Sequence, residues 1–305
     1  MKISTSQYYK TMNDLMTDQQ GQISKLQSQL ASGVKNVTPS TDVKATTTSL
    51  KLNDVISKQD DYLSNLKNLD VGYIEEETAM SGMVEMIRKM QDIAIQAPSG
   101  TYSNNERAIF ATEVEGYLND IRGLANTRDQ NGHFLFSGST VTTMPFTKNG
   151  AGDTVYNGNQ TEIKLEIDQG YKLPLNISGD KLAGVITKAD GTGNKVDMFA
   201  VMTDFVTALE TNNITNIQRA ATELDEVAKN LAKNLTDNGL RQRVVEERQI
   251  IAEDKKLVYE GLLSGSRDVD YATSITELSS HMLALEAAQS TFAKVSQLTL
   301  FSYIR

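Results

Sequence analysis

Acid–base or metal chemistry in this chain would have to run through two histidines, His133 and His281, which stand far apart in the sequence. His133 follows Gly132 at the start of an expected strand and reads as a turn or surface residue. His281 lies beside an apolar helical stripe and reads as a packing or interface residue. Cysteine is absent, which excludes disulfides, thiolate metal sites and a cysteine nucleophile together. Glu75, Glu76 and Glu77 could hold a cation, but consecutive acids on a helix read as a solvated face. Asp268 and Asp270 have the spacing of half a calcium loop, yet Ser279 stands where the closing glutamate would be. Gly191-Thr192-Gly193-Asn194 precedes a helix. It lacks the lysine of a phosphate loop and the third glycine of a dinucleotide fingerprint, so it reads as a turn. No polar cluster assembles from residues 133–240, so neither catalysis nor a cofactor is expected.

The 305 residues carry a formal net charge of −9, and 39% are apolar. Without a basic stripe such a chain does not neutralise phosphates, which argues against nucleic acid as a partner. No window approaches the roughly eighteen apolar residues of a membrane span. Residues 1–20 lack a continuous apolar core, so an ordinary secretory signal is not expected either.

The stronger pattern lies at the two ends. Tyr9, Met16, Ile23 and Leu30 recur every seven residues, and Met12, Gln19 and Leu26 form a second row. That is the seam of a coiled coil. Near the other end Ile275, Met282 and Gln289 form one row and Leu278, Leu285 and Phe292 another, with Leu298 beyond. Both stretches are nearly neutral: Lys2, Lys10 and Lys25 face Asp14 and Asp18, and Lys294 and Arg305 face Glu277 and Glu286. Two such ends predict association through terminal helices. Burying one stripe returns less than ordering a whole arm takes up in conformational entropy, so the arms are expected to become helical when many copies pack. The alternative is that both stripes join one intramolecular bundle.

Between the arms, Leu52, Val55, Leu66, Leu69, Tyr73, Met83, Ile87 and Met90 predict a helix from Val43 to Ala97, stopped by Pro98 and Gly100. Met80, Met83, Met86 and Met90 read as core filling. Ser103 and Glu106 form a capping box for a third helix ending near Asn131 and Gly132. Phe134 and Phe136, then Ile163, Leu165 and Ile167, alternate as strands do. Asn149-Gly150 and Asn157-Gly158 are hairpin signals. Helix returns near Val196, breaks at Asp237-Asn238-Gly239 and resumes from Arg241 to Leu263. The expected fold is mainly α: an elongated rod with paired N- and C-terminal coiled-coil helices and a small β-rich insert. Three parts are expected: residues 1–40 with 268–305, residues 41–132 with 195–267, and the insert 133–194.

Several segments, in order, resemble the bacterial flagellin superfamily and within it the subunits of the hook–filament junction. They are Met1-Lys2-Ile3-Ser4-Thr5, Gln29-Leu30-Ala31-Ser32-Gly33 and Asp92-Ile93-Ala94-Ile95-Gln96 with Asn65 and Glu77 before it. Leu124-Ala125-Asn126-Thr127 and Gly132-His133-Phe134-Leu135-Phe136-Ser137-Gly138 follow, then Gly239-Leu240-Arg241 and Asp268-Val269-Asp270-Tyr271-Ala272. Ala287-Ala288-Gln289 and the ending Ser296 to Ile304 are more similar to the junction subunits than to flagellin. The likeness covers about residues 1–140 and 236–305. One departure is Thr41-Asp42-Val43, where the family usually carries Asp-Pro; Val43 does not fix φ as proline would.

The resemblance implies a structural role in the bacterial flagellum. It implies export through the flagellar type III apparatus without a cleaved signal, with a cytosolic chaperone holding a terminal arm. Outside the cell, copies would form a homo-oligomeric tubular array between hook-associated protein 1 and flagellin, with terminal helices lining the inner tube. Tyr9, Met12, Met16, Ile23, Leu26 and Leu30 with Ile275, Leu278, Met282, Leu285, Phe292 and Leu298 are the expected assembly residues. The alternatives are a short flagellin and, from a different class, a cytosolic helical ligand-binding protein.

Overall fold

Helix boundaries fall where local chemistry puts them. The computed structural model describes residues 2–35, 38, 40 and 42–301; Thr41 and, of the ending, Ser302, Tyr303 and Ile304 lie outside them. The elements run α1 (Lys2–Ser32), α2 (Val43–Gln96), α3 (Asn104–Ala125), β1 (Phe146–Lys148), β2 (Thr154–Tyr156), β3 (Lys164–Asp168), β4 (Tyr171–Pro174), α4 (Gly179–Ala183), β5 (Val185–Thr187), β6 (Lys195–Asp197), α5 (Met198–Glu210), α6 (Ile214–Arg267) and α7 (Tyr271–Phe301). Asp42 opens α2: its Oδ1 accepts from Ala45 N at 2.9 Å, so the start is set by a side-chain cap and not by proline. The Ser103 capping box opens α3, with Ser103 N donating to Glu106 Oε2 at 2.6 Å.

Two compact units are present. One comprises residues 1–58 and 255–305, the other residues 59–254. In the second, Met80, Met83, Ile87 and Met90 of α2 meet Val114 and Ile121 of α3, Phe199, Met202 and Phe205 of α5 and Leu224 and Leu231 of α6. All of these are fully buried. A smaller cluster joins Leu66, Leu69 and Tyr73 of α2 to Ile167 of β3 and Val245 and Ala252 of α6.

Arg107 ties the turns at one end of this core. It is buried and donates from Nε to Ala97 O (2.8 Å), from Nη2 to Ser99 O (3.0 Å) and from Nη1 to Asn212 Oδ1 (2.8 Å). Asn212 itself adopts a left-handed φ of 59° between α5 and α6. One planar guanidinium thus satisfies acceptors of two separate chain reversals.

The insert carries three two-stranded antiparallel sheets. Asn149-Gly150 turns the β1–β2 hairpin, with Asn149 N donating to Asp153 O at 2.9 Å. Asn157-Gly158 does not join two strands; Asn157 N donates to Pro145 O at 2.7 Å and closes the same hairpin. Phe134 and Phe136 also lie outside the strands. Phe134 is buried in an isolated bridge to Arg128, whose guanidinium lies over its ring, and Phe136 sits in the turn that follows, its ring packed into the helical core.

Two further expectations differ from the structure. α3 ends at Ala125, because Asn126 turns away: its Nδ2 donates to Phe146 O (2.8 Å) and its Oδ1 accepts from Phe146 N (2.9 Å). α6 runs unbroken for 54 residues through Asp237, Asn238 and Gly239. Asn238 is buried and its Nδ2 donates to Tyr73 O at 2.7 Å, so its amide serves α2 and does not compete with its own helix. A single helical glycine costs only about 1 kcal/mol relative to alanine, and the flanking apolar contacts exceed that.

Candidate assembly interface

α1 and α7 pair as antiparallel helices. At one end Val269 N donates to Gly33 O (2.9 Å) and Lys35 N to Arg267 O (2.8 Å), around an antiparallel bridge between Val34 and Asp268. Gly33 makes the reversal possible. Its φ is +72°, and its N–H returns to Gln29 O at 2.8 Å, the left-handed close of a helix. Asp270 then opens α7. Its Oδ2 accepts from Thr273 Oγ1 (2.8 Å) and its Oδ1 from Ala272 N (3.0 Å) and Thr273 N (3.3 Å). These bonds, the Thr273 side chain foremost, hold its carboxyl below the usual range. Asp268 is held low in the same way, first by the Arg267 guanidinium at 2.8 Å. Both aspartates are thus occupied as capping and turn residues. Among the described residues no group of three acids or histidines could hold a metal ion.

Farther along the pair, Tyr9 and Phe292 meet edge to face, with ring centroids 5.4 Å apart. Gln19 Oε1 lies 2.7 Å from His281 Nδ1. Counting along the helices in opposite directions from these two contacts sets Met12 level with Ala288, Met16 with Leu285, Ile23 with Leu278 and Leu26 with Ser274.

Every expected α1 residue lies on this seam. Leu26 is buried, and Tyr9, Met12, Met16, Ile23 and Leu30 are half-buried. In α7, Leu278, Leu285 and Phe292 are half-buried likewise. Ile275 and Met282 are not brought to it; each is 53% exposed. The second row of the seam is Ser274, His281 and Ala288, one residue earlier, with Ser274 and Ala288 buried. Leu298 belongs to α7, but its side chain lies outside the described residues. Seven-residue spacing fits both rows, since α7 is apolar on more than one side, and periodicity alone does not choose. The available signal was the pair of small residues Ser274 and Ala288 flanking His281 at that spacing.

α7 therefore has two apolar sides. One faces α1. The other carries Ile275, Met282 and Leu283 in solvent, Leu283 at 68% exposure. On α1, Tyr8 and Leu15 are exposed as well. Apolar residues left uncovered in rows mark an interaction surface.

The remaining candidates do not converge on a reaction centre. His133 is exposed, with Nδ1 3.6 Å from Asp129 Oδ2. Gly191 to Asn194 turns the chain from β5 to β6. Glu77 is exposed and accepts from Gln242 Nε2 at 2.7 Å. Glu76, expected in solvent, is instead completely buried; its Oε1 accepts from Ile177 N at 2.8 Å. No helix among the described residues is long and apolar enough to cross a membrane.

The family model for the bacterial flagellin N-terminal helical region matches residues 3–141. Flagellar hook-associated protein 3 of Escherichia coli is 26% identical over 99% of both chains. The chain is thus similar to the flagellin superfamily, over residues 3–141 by the family model and end to end by this relative. The flagellin of Listeria monocytogenes is 20% identical over 97% of this chain and 94% of its own. The crystal structure of flagellar hook-associated protein 3 from Legionella pneumophila superposes with a TM-score of 0.63 at 17% identity, covering 71% of this chain and 98% of that one. The fold is shared with that structure over the matched part of this chain, whose own elements are two long terminal helices, a helical core and a β insert.

Proposed function

We propose that this chain is a structural subunit of the bacterial flagellum that joins hook to filament, without catalytic activity. The carrying observation is the outer side of α7, where Ile275, Met282 and Leu283 stand uncovered on a helix whose other side is already paired. Copies arranged in a tube would cover it, burying apolar surface at about 25 cal/mol per Å². In this reading residues 1–40 and 268–305 form a terminal coiled-coil domain of the inner tube, residues 41–132 and 195–267 a helical rod domain, and residues 133–194 a β-rich outer insert. Hook-associated protein 1 and flagellin are the neighbours. A cytosolic chaperone and the flagellar type III apparatus deliver the chain, without a cleaved signal, to its extracellular place. The E. coli relative, matched end to end, carries the name of a hook-associated protein, which supports this reading.

The test replaces both Ile275 and Met282 by aspartate. Each side chain is exposed in the free chain, so folding should persist while incorporation into hook–filament preparations falls at least tenfold, measured by mass spectrometry of sheared flagella. Undiminished incorporation would refute the assignment.

A second reading, a short flagellin, draws on the near full-length match to the Listeria protein. It requires the purified chain to form micrometre filaments unaided. A junction subunit remains unpolymerised without a hook template.

A further inference from the structure

The side of α7 that α1 chooses is the less apolar one. Ile275 and Met282 would offer α1 more apolar contact than Ser274, His281 and Ala288, yet they face away. Hydrophobic burial alone therefore predicts the other pairing. Translation along the helices is constrained at one end by the Gly33–Val269 and Lys35–Arg267 hydrogen bonds, but those bonds do not choose which side of α7 turns inward about a dozen residues away, at His281.

We infer that Gln19 and His281 form a polar layer that selects the face of α7 against which α1 packs. Gln19 stands in the apolar row of α1 between Met12 and Leu26 and is half-buried. Its Oε1 meets His281 Nδ1 at 2.7 Å, and His281 is half-buried too. Were α7 rotated to bring Met282 inward, the Gln19 amide would lie against a thioether, which accepts weakly and has no hydrogen to donate, and its hydrogen bond would be lost. The layers on either side, Met16 with Leu285 and Ile23 with Leu278, carry no polar group and are indifferent to the rotation. A single polar position in an otherwise apolar seam gives up stability and gains a unique arrangement. The bond needs only a protonated Nδ1, present in one neutral tautomer and in the cation.

The consequence reaches the outer side. By fixing the inward face, the Gln19–His281 layer holds Ile275 and Met282 outward. That deepens the assembly reading, in which other copies cover those residues, but face selection itself is a property of the single chain and is tested there.

The chain has no cysteine, so introduced thiols report unambiguously. Met12→Cys with Ala288→Cys reports the observed face; Met12→Cys with Gln289→Cys reports the rotated one. In an otherwise unaltered chain the first pair should oxidise at least tenfold faster than the second. With Gln19→Leu and His281→Leu added, that ratio should fall to about one while helix content by circular dichroism is kept. Gln19→Glu, which keeps an acceptor for His281, should restore the original ratio. A ratio unchanged in the double-leucine chain overturns the inference, because the Gly33–Val269 tie then suffices. Loss of both cross-links overturns it equally, because the layer would then hold the helices together without selecting a face. Neither outcome depends on assembly, so a failure here leaves the junction assignment standing or falling on its own test.

Discussion

The Glu76 carboxyl accepts a hydrogen bond from the Ile177 N–H at 2.8 Å inside a region closed to solvent. Its Oε2 has no partner. Burial pushes its pKa from 4.5 to about 8, with the Ile177 hydrogen bond and Arg241 opposing the shift. The contact joins α2 to the segment between β4 and α4. Tyr73, one turn earlier, donates its hydroxyl to Pro174 O at the end of β4, just before that segment.

An acid whose folded pKa is raised keeps its proton in the folded state after the unfolded chain has lost it. Below pH 4.5 both states hold the proton and Glu76 adds no pH dependence. Between 4.5 and about 8 stability falls as pH rises, and above that the full desolvation penalty is felt. Glu76→Gln should therefore be near neutral at pH 4 and stabilising by several kcal/mol, as an order of magnitude, at pH 9. Urea midpoints at pH 4, 7 and 9 check this. Parallel pH profiles for the two proteins would show that Glu76 titrates normally.

Asp270 has the opposite sign. Its carboxyl is held low by Thr273 and the start of α7, so its contribution is present above the ordinary value of 3.8 and is lost as pH falls through the depressed one. Hydrogen exchange at residues 271–274 should quicken on acidification below pH 4, beyond the change in intrinsic rate. Asp270→Ala should show the fast exchange already at pH 7. Equal protection in both proteins would remove the capping role.

Arg107→Met should destabilise the second unit by roughly 3 kcal/mol, because it removes the guanidinium donor from Ala97 O and Asn212 Oδ1 and leaves Ser99 O with Tyr102 N alone. Arg107→Lys should recover less than half of that loss, since one ammonium does not reproduce three forked N–H directions. Chemical denaturation measures both. Full recovery by lysine would mean that charge alone matters.

Leu26→Asp and Leu285→Asp act on the inner seam. Leu26 lies level with buried Ser274, and a carboxylate there costs several kcal/mol in an apolar contact. Each substitution should release α1 from α7, seen as faster proteolysis before residue 40, while the core around Met83 and Phe199 keeps its unfolding midpoint. Unaltered proteolysis would show that the seam does not hold the pair. The contrast with Ile275→Asp and Met282→Asp, which should leave proteolysis unchanged, separates the inner side of α7 from the outer.

The sequence by itself determined where most of the helices lie and one side of the terminal pairing. The heptads of α1 placed Tyr9 to Leu30 on the face that meets α7, and the Ser103–Glu106 box fixed the start of α3, because periodicity and capping act within a few residues. Tertiary structure decided the rest. Glu76 looks like a solvated acid until Ile177, a hundred residues on, closes over it. Asn238-Gly239 looks like a break until Tyr73 engages the asparagine and the helix continues. Ile275 and Ser274 are neighbours on one helix, and only the arrival of α1, with Gln19 seeking His281, sends one outward and the other in. Burial is a property of what comes from afar, and local pattern carries no record of it.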